Sequence, residues 1–513
     1  MGGGADAGTT ASTVDGVLRR TAARVPDRVA LRFGDREWRY AELDAAVSRT
    51  AAWLLGLGLE RGDRVAAYGR NSDAYLLAFL GCARAGLVHV PVDHRLTGAE
   101  LAYLLARSGS TVVLADPRLA GRVEEIRSRI PAREVLALRG APESVLEVAR
   151  DPRAPAGAAP GAADTDLVQL LYTSGTTSRP KGAMMSHRAL VHEYASCVHA
   201  LDITAGDRML HALPLHHSAQ MHVFLLPGLA VGAENEIVEA PEPGGLLRRI
   251  EGGATSFFAA PTVWLGMADH PDFATRDLSG LRKAYYGAAI MPVPVLRRIR
   301  RRCPRAGFYN CFGQSEIGPL ATVLRPEEHV PGRMDSCGRP VLFVEARLVD
   351  QDGADVAPGE PGEVVYRSPQ LCDGYWDEPE ETAAAFRGGW FHSGDLARRD
   401  AEGYLTIVDR LKDVINTGGV LVASREVEDV LYLHPAVAEA AVVAMPHPTW
   451  GEAVTAVVAL KGPATEAELI AFARERLAGF KAPKRVHVVE QLPRNASGKL
   501  LKRVLREELT AFR

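Results

Sequence analysis

From Tyr40 onward the spacing of apolar positions switches repeatedly between a helical period and short continuous apolar runs. A helical pattern (AELDAAVSRTAAWLLGLG) is followed by an apolar run at Arg64–Tyr68, helical spacing over Asp73–Arg84, a run at Leu87–Val92, helical spacing over Gly98–Arg107 and a run at Thr111–Ala115. Runs of that length alternating with helices predict mostly parallel sheets covered by helices, an α/β fold. A helical stretch then continues to about Arg150, and DPRAPAGAAPGAAD reads as a surface linker. Further strands are expected at Ser256–Ala260, Lys283–Tyr286 and Phe308–Phe312, each ending in a Gly- or Pro-bearing turn. Such strand ends are where α/β folds place ligand-binding loops.

From Cys337 to Val408 the pattern changes to short alternating segments (EARLVD, GEVVYRS, YLTIVD) joined by Asp-Gly and Pro-Gly turns, which predicts antiparallel β structure. After Arg410 it changes again, to helix Ser424–Leu433, strands Val437–Ala444 and Ala453–Leu460, helix Glu466–Leu477 and strand Arg485–Val489. The expected organisation is a disordered tail (1–13) and a large N-terminal domain (14–410) of mostly parallel sheets with helices, whose antiparallel β part covers about 337–408. A small mobile α+β lid domain (411–513) follows. A chain of 513 residues is long for one core, which agrees with several domains.

Composition narrows the classes of function. Hydrophobic content of 47% and charged content of 24% are those of a soluble globular protein, and a net charge of −3 gives no support for nucleic acid as a partner. The N-terminus lacks the basic start and apolar core of a signal peptide, and the apolar run 223–233 is too short to span a bilayer. With no integral membrane segment predicted, the expectation is a cytoplasmic protein. Six cysteines without metal-ligand spacing predict buried, reduced thiols.

The densest chemistry lies in LLYTSGTTSRPKGAMMSH, from Leu170 to His187, which reads as an apolar strand, a hydroxyl- and glycine-rich loop, a lysine and a helix start. Thr173, Ser174, Thr176, Thr177 and Ser178 offer hydroxyls, and Gly175 and Gly182 allow backbone N–H groups close to an anion. Lys181 adds a point charge, so together they form a polyphosphate cradle. It is not a Walker loop, because Lys181 precedes Gly182 instead of following a glycine and preceding Ser or Thr. Gly56, Gly58 and Gly62 are spaced wrongly for a dinucleotide fingerprint and follow a helix, so they read as a turn.

Several motifs in order, YTSGTTSRPKG, PLHH, YYGAA, YNCFGQSE, HSGDL, DRLKDVINTGG and PRNASGK, give a sequence that resembles the adenylate-forming superfamily, in its acyl-CoA synthetase branch. The resemblance implies an acid–thiol ligase. A carboxylate attacks the α-phosphate of Mg2+-bound ATP to give an acyl-adenylate, and a thiol, CoA, then takes the acyl group. An anion must approach a polyanion, so cations and oriented dipoles carry the chemistry.

The resemblance also implies roles for residues. Thr173–Thr177 and Lys181 face the β- and γ-phosphates, and Glu316 supplies a hard oxygen to Mg2+. Gly287, Ala288, Asn310, Phe312, Gly313, Gln314 and Ser315 hold the nucleotide, Phe312 standing where the family has tyrosine against adenine and Ser315 where it has threonine. Asp395 and Arg410 hold the ribose hydroxyls. His217 gates the acyl site, with His216 in place of an aromatic residue. Lys499 reaches the carboxylate and α-phosphate, Lys412 is the hinge of the lid domain, and Gly418 and Gly419 lie on the CoA-binding face. A basic C-terminal region (Lys481, Lys484, Arg485, Lys502, Arg503) offers charge-assisted hydrogen bonds to CoA phosphates or to an acidic acyl carrier protein. No aspartate stands in the PLHH segment to pair a substrate ammonium, which argues against an amino acid. The expected substrate is a medium- or long-chain aliphatic acid; an aryl acid, or transfer to an acyl carrier protein, are the alternatives.

Overall fold

The computed structural model describes residues 12–157, 161–173, 179–289, 291–494 and 500–511. The chain divides into two compact units. One comprises Met1–Met334, Gly338–Glu345 and Tyr366–Phe391; the other comprises Asp335–Cys337, Ala346–Val365 and His392–Arg513. The position after Arg410, where the sequence places a domain boundary, falls inside the second unit. Thr13, assigned to the tail, accepts a hydrogen bond from the Gly16 N–H and caps helix Val14–Arg24.

The first unit is built on two largely parallel sheets. One runs in the order Glu134–Ala137, Val112–Ala115, Arg64–Tyr68, Val88–Val92, Leu167–Thr173, Lys181–Ser186, parallel except for its last pair. The other runs Arg339–Pro340, Thr322–Leu324, Gly307–Phe312, Lys283–Gly287, Ser256–Ala259, Arg208–His211, Glu234–Ile237, Val29–Phe33, Arg36–Arg39. Its centre is parallel and both ends are antiparallel. Helix Asp73–Ala85 is buried along its whole length. The Ser72 hydroxyl caps it by accepting the Tyr75 N–H, and Gly86 closes it at φ 70°, a left-handed conformation that suits glycine.

The sequence expectation for the cradle needs one correction. Lys181 opens a strand, Lys181–Ser186, and the helix begins only at His187. The pairing Thr173↔Lys181, Tyr172↔Gly182 and Leu171↔Ala183 makes the Ser/Thr/Gly segment the connection of a β-hairpin. Alternation decides it. Gly182 lies against the Tyr172 ring, where a Cβ would come within 3.1 Å, while Ala183 and Met185 turn to the core. No helix N-terminus therefore lies at Lys181.

The second unit contains an antiparallel sheet of Glu345–Val349, Gly362–Arg367, Phe391–Arg399 and Leu405–Arg410 in that order. It also contains a sheet in which Gly451–Leu460 pairs antiparallel with Val437–His447 and parallel with Arg485–Val489. Ser424 joins the two parts: its N–H and hydroxyl both donate to Asp409 Oδ2, the latter at 2.8 Å. All six cysteines are buried free thiols. Among the described residues no helix is long and apolar enough to cross a membrane.

Candidate active site

In the first unit the candidate residues gather at the carboxyl ends of parallel strands. Thr173 is the last residue of strand Leu167–Thr173, and Gly287 ends strand Lys283–Gly287. Phe312 ends strand Gly307–Phe312, and a short turn then carries Ser315 and Glu316. The Thr173 hydroxyl donates to Glu316 Oε1 at 2.9 Å, and the Tyr375 hydroxyl donates to the same oxygen at 3.2 Å. Ser315 Oγ lies 2.9 Å from Ser218 Oγ, which ties this turn to the segment bearing His216 and His217. Three stretches far apart in sequence thus meet around one buried carboxylate.

Tyr375 and Glu381 did not stand out in the sequence. The chain at 373–376 pairs with the lysine strand through Trp376 N–H to Gly182 O and a bridge between Ala183 and Tyr375. That pairing brings the Tyr375 ring under Lys181 Nζ, 5.3 Å from the ring centroid. Glu381, on helix Pro379–Ala385, forms an ion pair with Lys181, whose side chain is only 9% exposed. Lys181 is thereby held as a preorganised cation beside the hairpin. The Gly-Tyr pair followed by Pro-Glu-Glu-Thr was the available signal.

The turn holding Glu316 rests on a buried polar clamp. Glu193, inside helix His187–Ala200, accepts the Leu320 N–H at 2.9 Å and the Cys197 thiol at 3.2 Å. Gln370 Nε2 donates to Glu193, to Ile317 O and to Leu320 O. Burial pushes the Glu193 carboxyl up to about 8 against the pull of those donors. Beside the clamp, Gly318 lies where a Cβ would come within 2.8 Å of Glu193.

The motif glycines answer to backbone packing. A Cβ on Gly287 would sit 2.2 Å from Cys311 O on the neighbouring strand, and one on Gly313 would sit 2.0 Å from Pro319 O. Their small size is required by the protein's own strands before any ligand arrives. Ala288, exposed just past the strand, adopts φ 63°, a left-handed backbone that costs a non-glycine residue about 1 kcal/mol. Asn310 and Phe312 are half-buried in register with Leu324 and Thr322. Gln314 Nε2 is buried and has no hydrogen-bond partner among the described residues.

His216 and His217 lie in the turn after strand Arg208–His211, and the Nε2 atoms of both are buried without hydrogen-bond partners. Their rings sit 4.5 Å apart. Burial lowers the His217 imidazole to about 4 and pushes His216 well below its ordinary range, so both are neutral at pH 7.

Asp395 and Arg410 belong to the second unit. They are cross-strand partners, and Arg410 Nε lies 3.0 Å from Asp395 Oδ1. Lys412 follows in a short turn, with its ammonium lowered by burial and by the nearby Arg410, while Asp413 opposes the shift. Gly418 and Gly419 form the two-residue turn of hairpin 415–422 at φ 66° and 86°. Two successive positive φ values are what a type I′ turn requires, and glycine supplies them without strain. Ser174, Gly175, Thr176, Thr177, Ser178 and Lys499 lie outside the described residues.

The basic C-terminal region expected from the sequence is largely neutralised. Lys481 pairs with Glu426, Arg485 with Glu466, Lys502 with half-buried Glu428 and Arg503 with Glu507. Lys484 instead donates to Gly479 O and lies over the Trp450 ring. Charge that looked free along the chain is spent on carboxylates and a carbonyl of the same unit.

A family model described as AMP-binding enzyme matches residues 18–376, and one described as AMP-binding enzyme C-terminal domain matches 426–499. A feruloyl-CoA synthase of Amycolatopsis sp is 39% identical over 490 residues, covering 94% of this chain and 96% of that protein. The medium/long-chain-fatty-acid–CoA ligase FadD8 of Mycobacterium tuberculosis is 35% identical, covering 94% and 88%. The crystal structure of ATP-bound MatB from Rhodopseudomonas palustris superposes with a TM-score of 0.89 at 30% identity, covering 98% of this chain and 99% of that one. Matches of that extent, on a chain whose buried glutamate meets the Thr173 and Tyr375 hydroxyls beside a preorganised lysine, show that the protein belongs to the AMP-binding enzyme family: it is an AMP-forming, ATP-dependent acid–thiol ligase of the adenylate-forming superfamily's acyl-CoA synthetase branch.

Proposed function

We propose that the chain joins a compact carboxylic acid with an aryl or arylalkenyl body to CoA. The observation that carries this reading is the packing of three apolar segments, 221–226, 257–264 and 285–289, which we take to line the acyl site. The Phe224 and Phe258 rings stack at 4.3 Å and Phe224 meets Tyr285 at 5.0 Å, all three fully or nearly buried. Trp264 closes on Phe257 at 5.1 Å and donates its indole N–H to Tyr285 O. These rings cover both faces of the sheet, Phe258 and Tyr285 with Phe224 on one and Phe257 with Trp264 on the other, and an aromatic wall on the Phe224 side favours a flat body over a flexible chain by stacking and edge contacts. A π-helical turn, Ala219–Leu225, presents Phe224, with Leu226 N–H reaching back five residues to Met221 O ahead of Pro227. The name of the feruloyl-CoA synthase agrees with an aryl acid, whereas that of FadD8 keeps the aliphatic acid as the second reading.

The proposed roles follow from charge. Carboxylate and triphosphate repel, so Lys181, the Thr173 hydroxyl and the donors of the Ser174–Thr177 segment hold the β- and γ-phosphates while Lys499 bridges the carboxylate and α-phosphate. Glu316 Oε1, with the hydroxyls of Thr173 and Tyr375 converging on it, is an oxygen donor set that fits Mg2+; when bound, the ion offsets phosphate charge. Asp395 and Arg410 orient the ribose. Phe312, Gly313, Gln314 and Ser315, with Gly287, Ala288 and Asn310, form the nucleotide's wall. Neutral His217 stands at the acyl mouth as a hydrogen-bonding gate. Turning about Lys412 brings Gly418 and Gly419 to the CoA side for the second half-reaction.

The test is pyrophosphate release over a panel of cinnamates, benzoates and saturated C4–C16 acids, each with and without CoA, with thioester followed by mass. Preference for hydroxycinnamates or benzoates is expected. A kcat/KM that rises steadily with saturated chain length refutes the compact-site reading and leaves the aliphatic one.

A further inference from the structure

Beyond the nucleotide site, two loops from different sheets converge on a second set of metal-ligating atoms. Asp93 and His94 directly follow strand Val88–Val92 of one sheet, and His216 follows strand Arg208–His211 of the other. Asp93 Oδ1 lies 3.6 Å from His216 Nε2 and 3.8 Å from His94 Nδ1, and the three ligand atoms all fall within 4.8 Å of one another. Among the described residues neither imidazole nitrogen has a hydrogen-bond partner, although each is buried, and the His216 side chain is only 4% exposed. A polar atom is seldom buried unpaired, and two facing one carboxylate oxygen call for a common partner.

We propose that Asp93, His94 and His216 bind one divalent transition-metal cation of the Zn2+ type, with water in the remaining position. Two imidazole nitrogens and one carboxylate oxygen suit a borderline ion. Bonds of about 2.0–2.1 Å in tetrahedral geometry set ligand atoms about 3.4 Å apart, so the two Asp93 separations need to close by only a few tenths of an ångström, while the two imidazole nitrogens, within 4.8 Å of each other, close by about 1.4 Å at most. Asp93 is also approached by Arg95, whose backbone N–H donates to Oδ1 at 3.0 Å and whose guanidinium Nε lies 3.4 Å away. The Arg95 side chain is 49% exposed, so a bound cation displaces it toward solvent. The site lies beside the acyl gate, because the His216 ring packs 4.5 Å from that of His217. An ion here staples the loop after Val92 to the turn bearing the gate histidine. This site is separate from Glu316, whose donors are oxygens alone.

The experiment uses the full chain without an affinity tag, stripped with chelator, dialysed and held in excess Mg2+. Zn2+ is titrated against a chromophoric chelator, and bound metal is counted by elemental analysis. One equivalent of Zn2+ per chain is expected, with affinity reduced at least tenfold in Asp93→Asn and in His94→Gln. Arg95→Ala, which removes the competing cation, is expected to bind as tightly as the wild type or several-fold tighter, a gain that misfolding does not produce. Co2+ in place of Zn2+ should give a visible absorption band that both weakened variants lose. Less than one equivalent in the wild type overturns the proposal. So does equal affinity in wild type, Asp93→Asn and His94→Gln, which assigns the metal to other histidines or thiols, and so does loss of binding in Arg95→Ala.

Discussion

Replacing Glu316 separates a metal ligand from a structural acceptor, because glutamine and alanine make different predictions. The partners of Oε1 are the neutral hydroxyls of Thr173 and Tyr375, at 2.9 and 3.2 Å. In Glu316→Gln the amide oxygen keeps both hydrogen bonds and no partner charge is stranded, so the loss of stability should stay below about 1 kcal/mol. Glu316→Ala leaves two half-buried hydroxyls without that acceptor, for about 1–3 kcal/mol in total, water relieving part of the cost. For a unit this large, at about 2.1 cal/mol/K of unfolding entropy per residue, about 1 kcal/mol moves the melting temperature by roughly 1–2 °C, so the two variants are distinguishable by calorimetry. The glutamine is nevertheless a far poorer ligand for a hard dication than a carboxylate. Adenylation, followed by pyrophosphate release at saturating acid and ATP, should therefore need at least about tenfold more Mg2+ in Glu316→Gln, equivalent to about 1.4 kcal/mol. An unchanged Mg2+ titration in Glu316→Gln with unchanged melting shows that this carboxylate only anchors hydroxyls, and refutes its metal role.

Lys499→Ala is expected to abolish acyl-adenylate formation while sparing thioester formation from a supplied acyl-adenylate; equal loss in both half-reactions shows that this lysine serves neither step specifically. Lys412→Pro, which fixes φ beside the turn Leu411–Asp413, should slow the CoA-dependent half-reaction much more than adenylation, and an undisturbed second step moves the hinge elsewhere. Gly313→Ala must displace Pro319 O from 2.0 Å, so it should cost several kcal/mol, on the order of 3, and yield poorly folded protein, read by urea denaturation. Glu193 sets a pH dependence. Its folded carboxyl is raised to about 8, so below the unfolded value of about 4.5 its contribution is complete, and as pH rises from there through 8 the unfolded chain releases a proton that the folded chain keeps. Stability is lost across that window, and Glu193→Gln should gain on the wild type by on the order of 2 kcal/mol between pH 5.5 and 7.5 in urea denaturation; a pH-independent difference rejects the buried-proton reading.

Much of the scaffold was legible because buried parallel strands announce themselves as apolar runs. Strands Arg64–Tyr68 and Arg485–Val489 fall where the pattern puts them, and Val88–Val92 and Ser256–Ala259 differ by one residue. The outer strands Val29–Phe33 and Arg36–Arg39 were not read, since edge positions carry Arg and Glu that blur the apolar signal. The same holds for Phe391–Arg399, the strand bearing Asp395, which is interrupted by Gly394 at φ 71°. The unread strand Lys181–Ser186 has a different origin. A run of Gly, Ala and Met is compatible with either period, and only pairing with Leu167–Thr173 decides.

The candidate site shows the same division between local and non-local information. Thr173, Lys181, Ser315 and Glu316 could be found because each sits in a dense local motif, but the groups that tune them come from elsewhere in the chain. Tyr375 and Glu381 approach Lys181 only because the chain at 373–376 pairs with the lysine strand. Glu193 and Gln370 hold the Glu316 turn from a helix and a loop that carry no motif. The glycines bear a further lesson. Gly287 and Gly313 are expected among the residues that hold the nucleotide, yet the atoms a side chain would strike are Cys311 O and Pro319 O of the protein itself. A substitution there damages the sheet before it tests nucleotide binding, so loss of activity in such a variant says little about the nucleotide. Glu316→Gln is the sharper probe, because it removes the carboxylate charge of the proposed metal ligand while the amide oxygen keeps both hydroxyl partners.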